Sequence, residues 1–357
     1  IFAISRNCGR LLAGAILGVL LAGCGATSQP AQPASGALPP ARPEQFVLVR
    51  DPLGNSELWL QTLHAAPGQM LADRLTHPAC SAGTTLIYTV ATTASSQLVR
   101  HDLDSTTVRT LVNDPEASLT QAECSPRHDR VLYLRRPSEL VDDEPQPPRI
   151  WRTTAPAQGV PAVPEVFSGR PALNAQWSPD GSAVIFELAE TPNLVLIDPS
   201  SNQHQLPFIG TFTWSPDSGS IVVSQLTDAA AGRFARLVRY DIASGQSTTL
   251  LDAPDSDVYY PRWSPDGTQI AFVRRPLGAE HGELWVLPLA DLTAARQISD
   301  DQQYDNFDPQ WSPDSQSLLW SRFLPQQERY SIWHTPLDAS SPTQVADDAI
   351  WPRWLRQ

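Results

Sequence analysis

Short apolar runs recur along the chain at 86–88, 131–133, 184–186, 221–223, 270–272 and 318–320. A second run, ending in Trp, comes after it at 149–151, 283–285 and 331–333. Runs this short, rich in β-branched and aromatic residues and bounded by turn residues, predict strands rather than helices. A short polar strand then closes the unit, as at 295–298. Four short strands per unit, with turn signals between them, predict the blade of a β-propeller.

A recurring turn opens each unit. Trp177-Ser-Pro-Asp-Gly181 returns as Trp214-Ser-Pro-Asp-Ser218, Trp263-Ser-Pro-Asp-Gly267 and Trp311-Ser-Pro-Asp-Ser315. Worn copies begin at Cys124 and Cys80. Pro presets φ for a tight turn, Asp bonds its own backbone, and Gly or Ser tolerates the conformation at the end of the turn. The Trp supplies a large apolar plate to pack between neighbouring blades. Of the 11 Trp, five sit at this turn (177, 214, 263, 311, 354) and four in the third strand (59, 151, 285, 333). They read as structural rather than as a ligand-stacking cage.

The motif positions 80, 124, 177, 214, 263, 311 and 354 repeat at about 46 residues, near the range of four-stranded blades. The last copy stops after one strand. The missing remainder stands at the other end, where 46–50 and 57–59 parallel 271–274 and 283–285. The expectation is an all-β, seven-bladed β-propeller of four-stranded blades, closed by the C-terminal strand joining the N-terminal blade. Closure leaves no open edge between first and last blade.

The W-S-P-D-G repeats resemble those of TolB-like (WD40-like) β-propeller proteins, and of the propeller domain of prolyl oligopeptidase relatives. The resemblance covers roughly 46–357 and implies the fold; it is weak for function. The G-x-S-x-G elbow that the peptidase relatives carry on their hydrolase domain does not occur in this sequence.

Residues 1–23 read as a lipoprotein signal peptide. Arg6 and Arg10 precede an apolar run over 11–21, too short to span a bilayer and fitting a secretory signal. Ala22, Gly23 and Cys24 then complete a segment that resembles the lipobox of bacterial lipoproteins, in which the Cys is diacylated. Two acyl chains hold a protein to a membrane where one is marginal. Residues 24–45 are the lipidated Cys24 and a Pro-rich tether, and 46–357 the propeller. The expected location is extracytoplasmic, lipid-anchored to a bacterial membrane.

Charge narrows the partners. The formal net charge is −13 and all 25 basic residues are Arg. Such a chain is a poor candidate for nucleic acid, whose phosphates need a basic surface. The more irregular loops fall on the rim opposite the S-P-D turns, among them 139–148, 252–260 and 300–308, where acids alternate with aromatics. Loops on a rigid scaffold often carry function. The residue three before each motif position gives a ring of candidate binding residues: His77, Gln121, Asn174, Thr211, Tyr260, Asp308 and Trp351. The alternative is that these side chains only solvate loops and channel water.

Asp252, Asp255 and Asp257 are clustered, as are Asp305 and Asp308, but EF-hand spacing is missing and the His residues are scattered singly. No metal or cofactor is expected. Cys80 and Cys124 replace the motif Trp in consecutive blades. They form a disulfide if their Cα atoms stand within about 7 Å, and otherwise fill the Trp space as buried thiols. The sequence offers no Ser-His-Asp grouping with local support, no phosphate loop and no carboxylate pair with a defined partner, so an enzyme is not expected. The leading reading is a membrane-anchored platform for an envelope protein partner. Its rivals are a receptor for a small or cationic ligand, and a hydrolase or lyase acting on a cell-wall polymer.

Overall fold

Each apolar run of the repeat forms the second strand of a four-stranded antiparallel sheet in the computed structural model. The structure describes residues 44–355 apart from 64, 66–67, 128, 142, 192, 229–230, 300–302 and 339–340. The signal reading of 1–23, the lipidation of Cys24 and nearly all of the tether lie outside the described residues.

Seven such sheets succeed one another along the chain. Blade 1 joins Ala349–Trp354 to Gln45–Arg50, Glu57–Thr62 and Gln69–Ala72. Blades 2 to 7 start with the inner strands Leu75–Ala82, Ala117–Cys124, Ala172–Trp177, Phe212–Trp214, Ser256–Trp263 and Asp305–Trp311. Inner strands of neighbouring blades contact one another, as in blades 2 and 3, 5 and 6, 6 and 7, and 7 and 1. The ring closes in blade 1, where Phe46 pairs with Trp354 and Arg50 with Ala349. The Leu355 N–H then donates to the Gln45 carbonyl at 3.1 Å. The one helical turn among the described residues is the 3-10 turn Pro325–Gln327.

The core lies between blades. Second strands are buried on both faces, as at Val184, Ile185 and Phe186, because each blade is covered on two sides. That double burial makes their sequence a continuous apolar run instead of an alternation. Trp177 packs against Leu132 and Ile150 of blade 3, and Trp354 against Leu319 and Ile332 of blade 7. The third-strand Trp has a different task. Arg50, Arg135, Arg274 and Arg322 of the second strands lie over Trp59, Trp151, Trp285 and Trp333, 4.0–5.2 Å from the ring centroids. Such stacking contributes about 0.5–1 kcal/mol at exposed sites and more when desolvated. The indole N–H of Trp59 and of Trp285 donates to the Glu two residues earlier, at 2.8 and 2.9 Å.

The S-P-D turn closes on itself. Ser178 Oγ donates to Asp180 Oδ1 at 2.6 Å and accepts from Ala183 N at 2.9 Å. The residue after Asp has positive φ: 69° at Gly181, 63° at Ser218, 77° at Gly267 and 62° at Ser315. The two Ser residues reach back one blade. Ser218 Oγ accepts from Asp180 N at 3.0 Å, and Ser315 Oγ from Asp266 N at 3.1 Å. In blades 2 and 3, Cys80 and Cys124 form a disulfide, with Cα atoms 5.6 Å apart.

Two of the three stretches expected to be loops are in part strand. Ser256–Tyr260 and Asp305–Asp308 belong to inner strands. An inner strand faces the channel on one side, so its polar and aromatic alternation resembles an exposed loop. The third stretch, 139–148, carries a small hairpin of Leu140–Val141 with Glu144–Pro145.

Candidate functional site

The candidate ring lies within the inner strands, three residues before the motif position, except in blade 5, where Thr211 precedes its strand. In blades 1, 2, 3, 4, 6 and 7 the strand register slips beside the ring residue. In blade 5, Gly210, with φ of 117°, and Thr211 precede the short strand Phe212–Trp214. Five ring residues adopt left-handed backbone: Gln121 at 52°, Asn174 at 50°, Tyr260 at 51°, Asp308 at 50° and Trp351 at 57°. For bulky L residues this costs on the order of 1–3 kcal/mol each. A bulge re-aims a side chain and bends the strand. Here it recurs around the channel mouth.

The bulges bring ring residues together across the gaps between blades. Gln121 Nε2 donates to Asn174 Oδ1 at 3.0 Å, and the Asn174 N–H donates to Gln121 Oε1 at 3.2 Å. Tyr260 N donates to Thr211 Oγ1 at 3.0 Å. Trp351 N donates to Ser321 Oγ of blade 7 at 3.0 Å, and its ring stacks on His77, centroids 5.9 Å apart. Asp308 is the buried member of the ring. It accepts from Arg262 Nη2 of blade 6 at 3.2 Å, from Arg353 Nη1 of blade 1 at 2.5 Å and from Gln310 Nε2 at 3.0 Å. Six of the seven positions therefore meet in three pairs between blades, and Asp308 is held by Arg262, Arg353 and Gln310, which lie outside the ring.

Titration reflects these surroundings. Burial alone pushes the Asp308 carboxyl up, but Arg353 and Arg262 outweigh it and hold the group below the ordinary carboxylate range. Burial pulls Arg262 down, with Asp308 opposing and Arg353 adding to the fall. Glu187, on the second strand of blade 4, is raised by burial despite accepting from Asn174 Nδ2 at 2.8 Å.

Arg262, Arg353, Gln310 and Glu187 are not among the residues that the sequence pattern singles out. Three of them stand one residue before the motif Trp, a position that a second count along the repeat would have shown. The clustered acids go to different partners. Asp252 pairs with Arg236 at 3.2 Å, Asp255 with Arg274 at 3.0 Å and Asp257 with Arg275 at 3.3 Å. Asp305 Oδ1 accepts from Gly282 N at 2.9 Å. Beside the mouth, a cleft of about 480 Å³ opens between blades 6 and 7, lined by Asp257, Arg275, His281, Asp305 and Phe323 among others.

No protein-family model and no curated protein sequence matches the chain. Solved structures match it by fold. A protein described as a putative TolB from Agrobacterium tumefaciens gives a TM-score of 0.51 at 18% identity, over 68% of this chain and 84% of that one. TolB from Acinetobacter baumannii gives 0.51 at 14% identity, over 86% of this chain and 65% of that one. A prolyl endopeptidase gives 0.63 at 14% identity, over 92% of this chain and 50% of that one. The chain thus spans just under two thirds of the Acinetobacter protein and half of the endopeptidase. At these identities the likeness is one of fold, a β-propeller like that of the TolB structures.

Proposed function

We propose that this TolB-like propeller is a binding platform for another protein of the cell envelope, held at a membrane through Cys24, with the channel mouth as its contact face. The observation that carries the reading is the candidate ring. The side chains of Gln121, Asn174, Thr211 and Asp308 are held by hydrogen bonds between blades, and the Trp351 ring stacks on His77, before any partner arrives. Rigid, preorganised groups lose little freedom on binding, which favours affinity. The signal-like segment and Cys24 support the envelope location. The reading assigns the chain no catalytic step and no cofactor.

A second reading, a receptor for a small or cationic ligand, is supported by the cleft beside the mouth. Its Asp257, Asp305 and Glu280 outnumber its one Arg.

The test is a photo-crosslinked pull-down of the tagged chain from its own membranes, since a chain without Lys gives side-chain amine reagents nothing to attack. The comparison is an Asn174→Ala/Tyr260→Ala double variant, which spares the buried Asp308. One protein recovered with the wild type and lost from the variant supports the platform. Recovery of no protein, or equal recovery by both, rejects it.

A further inference from the structure

Two guanidinium groups converge on one carboxylate in the channel. Arg262, Asp308 and Arg353 come from three consecutive blades, so the cluster straddles two blade boundaries. Its formal charge is +1, in a chain whose total is −13. Gln310 adds a donor to Asp308 and no charge. Among the described residues, Asp308 is the sole ion-pair partner of either Arg.

The arrangement is asymmetric in depth. The side chain of Asp308 is 10% exposed, against 25% for Arg262 and 29% for Arg353. The carboxylate is the most covered of the three groups, and the two cations keep more of their surface open. Each Arg spends one further donor on a neighbouring carbonyl, of Pro261 and of Pro352. The Nε and Nη2 groups of Arg353 and the Nε of Arg262 meet no acceptor among the described residues. A clasp between blades needs one Arg for one Asp. The second Arg leaves one positive charge in excess and donors unused among the described residues. A guanidinium presents two parallel N–H donors that match the two oxygens of a carboxylate.

We propose that Arg262 and Arg353 form an anion site in the channel that takes a single carboxylate, with Asp308 spacing the two cations. The bound carboxylate completes an alternating set of two cations and two anions. Its source is a peptide C-terminus or a free organic acid, which share this chemistry. The inference stands apart from the platform reading, because it is tested with small molecules alone.

The experiment is calorimetric titration of the purified full-length chain at fixed ionic strength. The probes are N-acetyl-trialanine, its C-terminal amide, and citrate. The peptide acid or citrate binds, and the amide binds at least tenfold more weakly than the acid. Binding by the peptide acid assigns the site to a chain terminus; binding by citrate alone assigns it to a free acid. Arg353→Gln weakens the bound probe at least tenfold. Asp308→Asn tightens it at least threefold, since a like charge leaves and two donors are released. Arg262→Gln, which is expected to weaken the probe likewise, replaces Arg353→Gln if that variant fails to give a wild-type melting curve. Absence of binding by both acids, equal binding of acid and amide, or unchanged binding by the Arg variants overturns the proposal.

Discussion

Cys80 and Cys124 stand where Trp stands in the other five blades, and a disulfide joins them across the boundary of blades 2 and 3. Two small residues leave space that one indole fills elsewhere. The covalent bond ties together the pair of blades that lack the plate. The loop it closes spans a sequence separation of 44. In the chain-entropy account such a crosslink contributes about 4 kcal/mol.

Reduction is therefore expected to lower the unfolding free energy by up to about 4 kcal/mol. A denaturant titration with and without dithiothreitol measures this. An unchanged midpoint means that the bridge contributes nothing to the ring.

The C-terminal strand is a second test of closure. Removing 349–357 takes Ala349, Ile350, Trp354 and Leu355 out of the core and uncovers Phe46, Leu48 and Leu319. Losing a single buried Trp side chain costs about 3–5 kcal/mol, so loss of the whole strand is expected to cost more than about 5 kcal/mol or to abolish cooperative unfolding. Calorimetry of the truncated chain decides it. A wild-type melting temperature rules out this closure.

Ser218 separates two effects that oppose each other. Its left-handed φ of 63° favours Gly, while its hydroxyl accepts the Asp180 N–H of the preceding blade. Ser218→Ala keeps the strained backbone and loses the bond, with an expected cost of about 1–2 kcal/mol. Ser218→Gly loses the bond but relieves the backbone, and is expected within about 0.5 kcal/mol of wild type. If both variants melt alike, the bond between blades has no weight.

Glu187 gives a pH signature. Burial raises its carboxyl above the ordinary Glu value, so ionisation opposes the folded state. Glu187→Gln removes that penalty and is expected to raise the melting temperature at pH 7. The gain is full above the folded pKa and shrinks as pH falls below it toward the ordinary Glu range, where wild-type Glu187 is neutral in the folded chain. A gain of equal size at pH values of about 4 and about 7 contradicts the assignment.

The strands were legible because burial on two faces writes a continuous apolar run, as at 184–186 and 270–272. The ring count was legible because the motif position recurs once per blade, held by Trp in five blades and by Cys in two. Closure could be read from the likeness of 46–50 to 271–274. The mouth was only half legible. Counting three residues back from the motif found the positions, but nothing in Gln121, Tyr260 or Trp351 announces a left-handed backbone, since Gly is the usual signal. The Arg262–Asp308–Arg353 contact joins residues 46 and 45 apart, beyond the reach of local pattern. Alternating polar and aromatic residues at 256–260 suggested a loop, because a strand lining water and a loop in water have similar composition.

In blade 1 the chain ends take the place of the S-P-D turn. Trp354 lies opposite Phe46, and Leu355 is bonded to Gln45. Both ends of the described chain thus leave from the turn face. The face that carries the S-P-D turns in the other blades is, in blade 1, the place where the chain enters and leaves the ring.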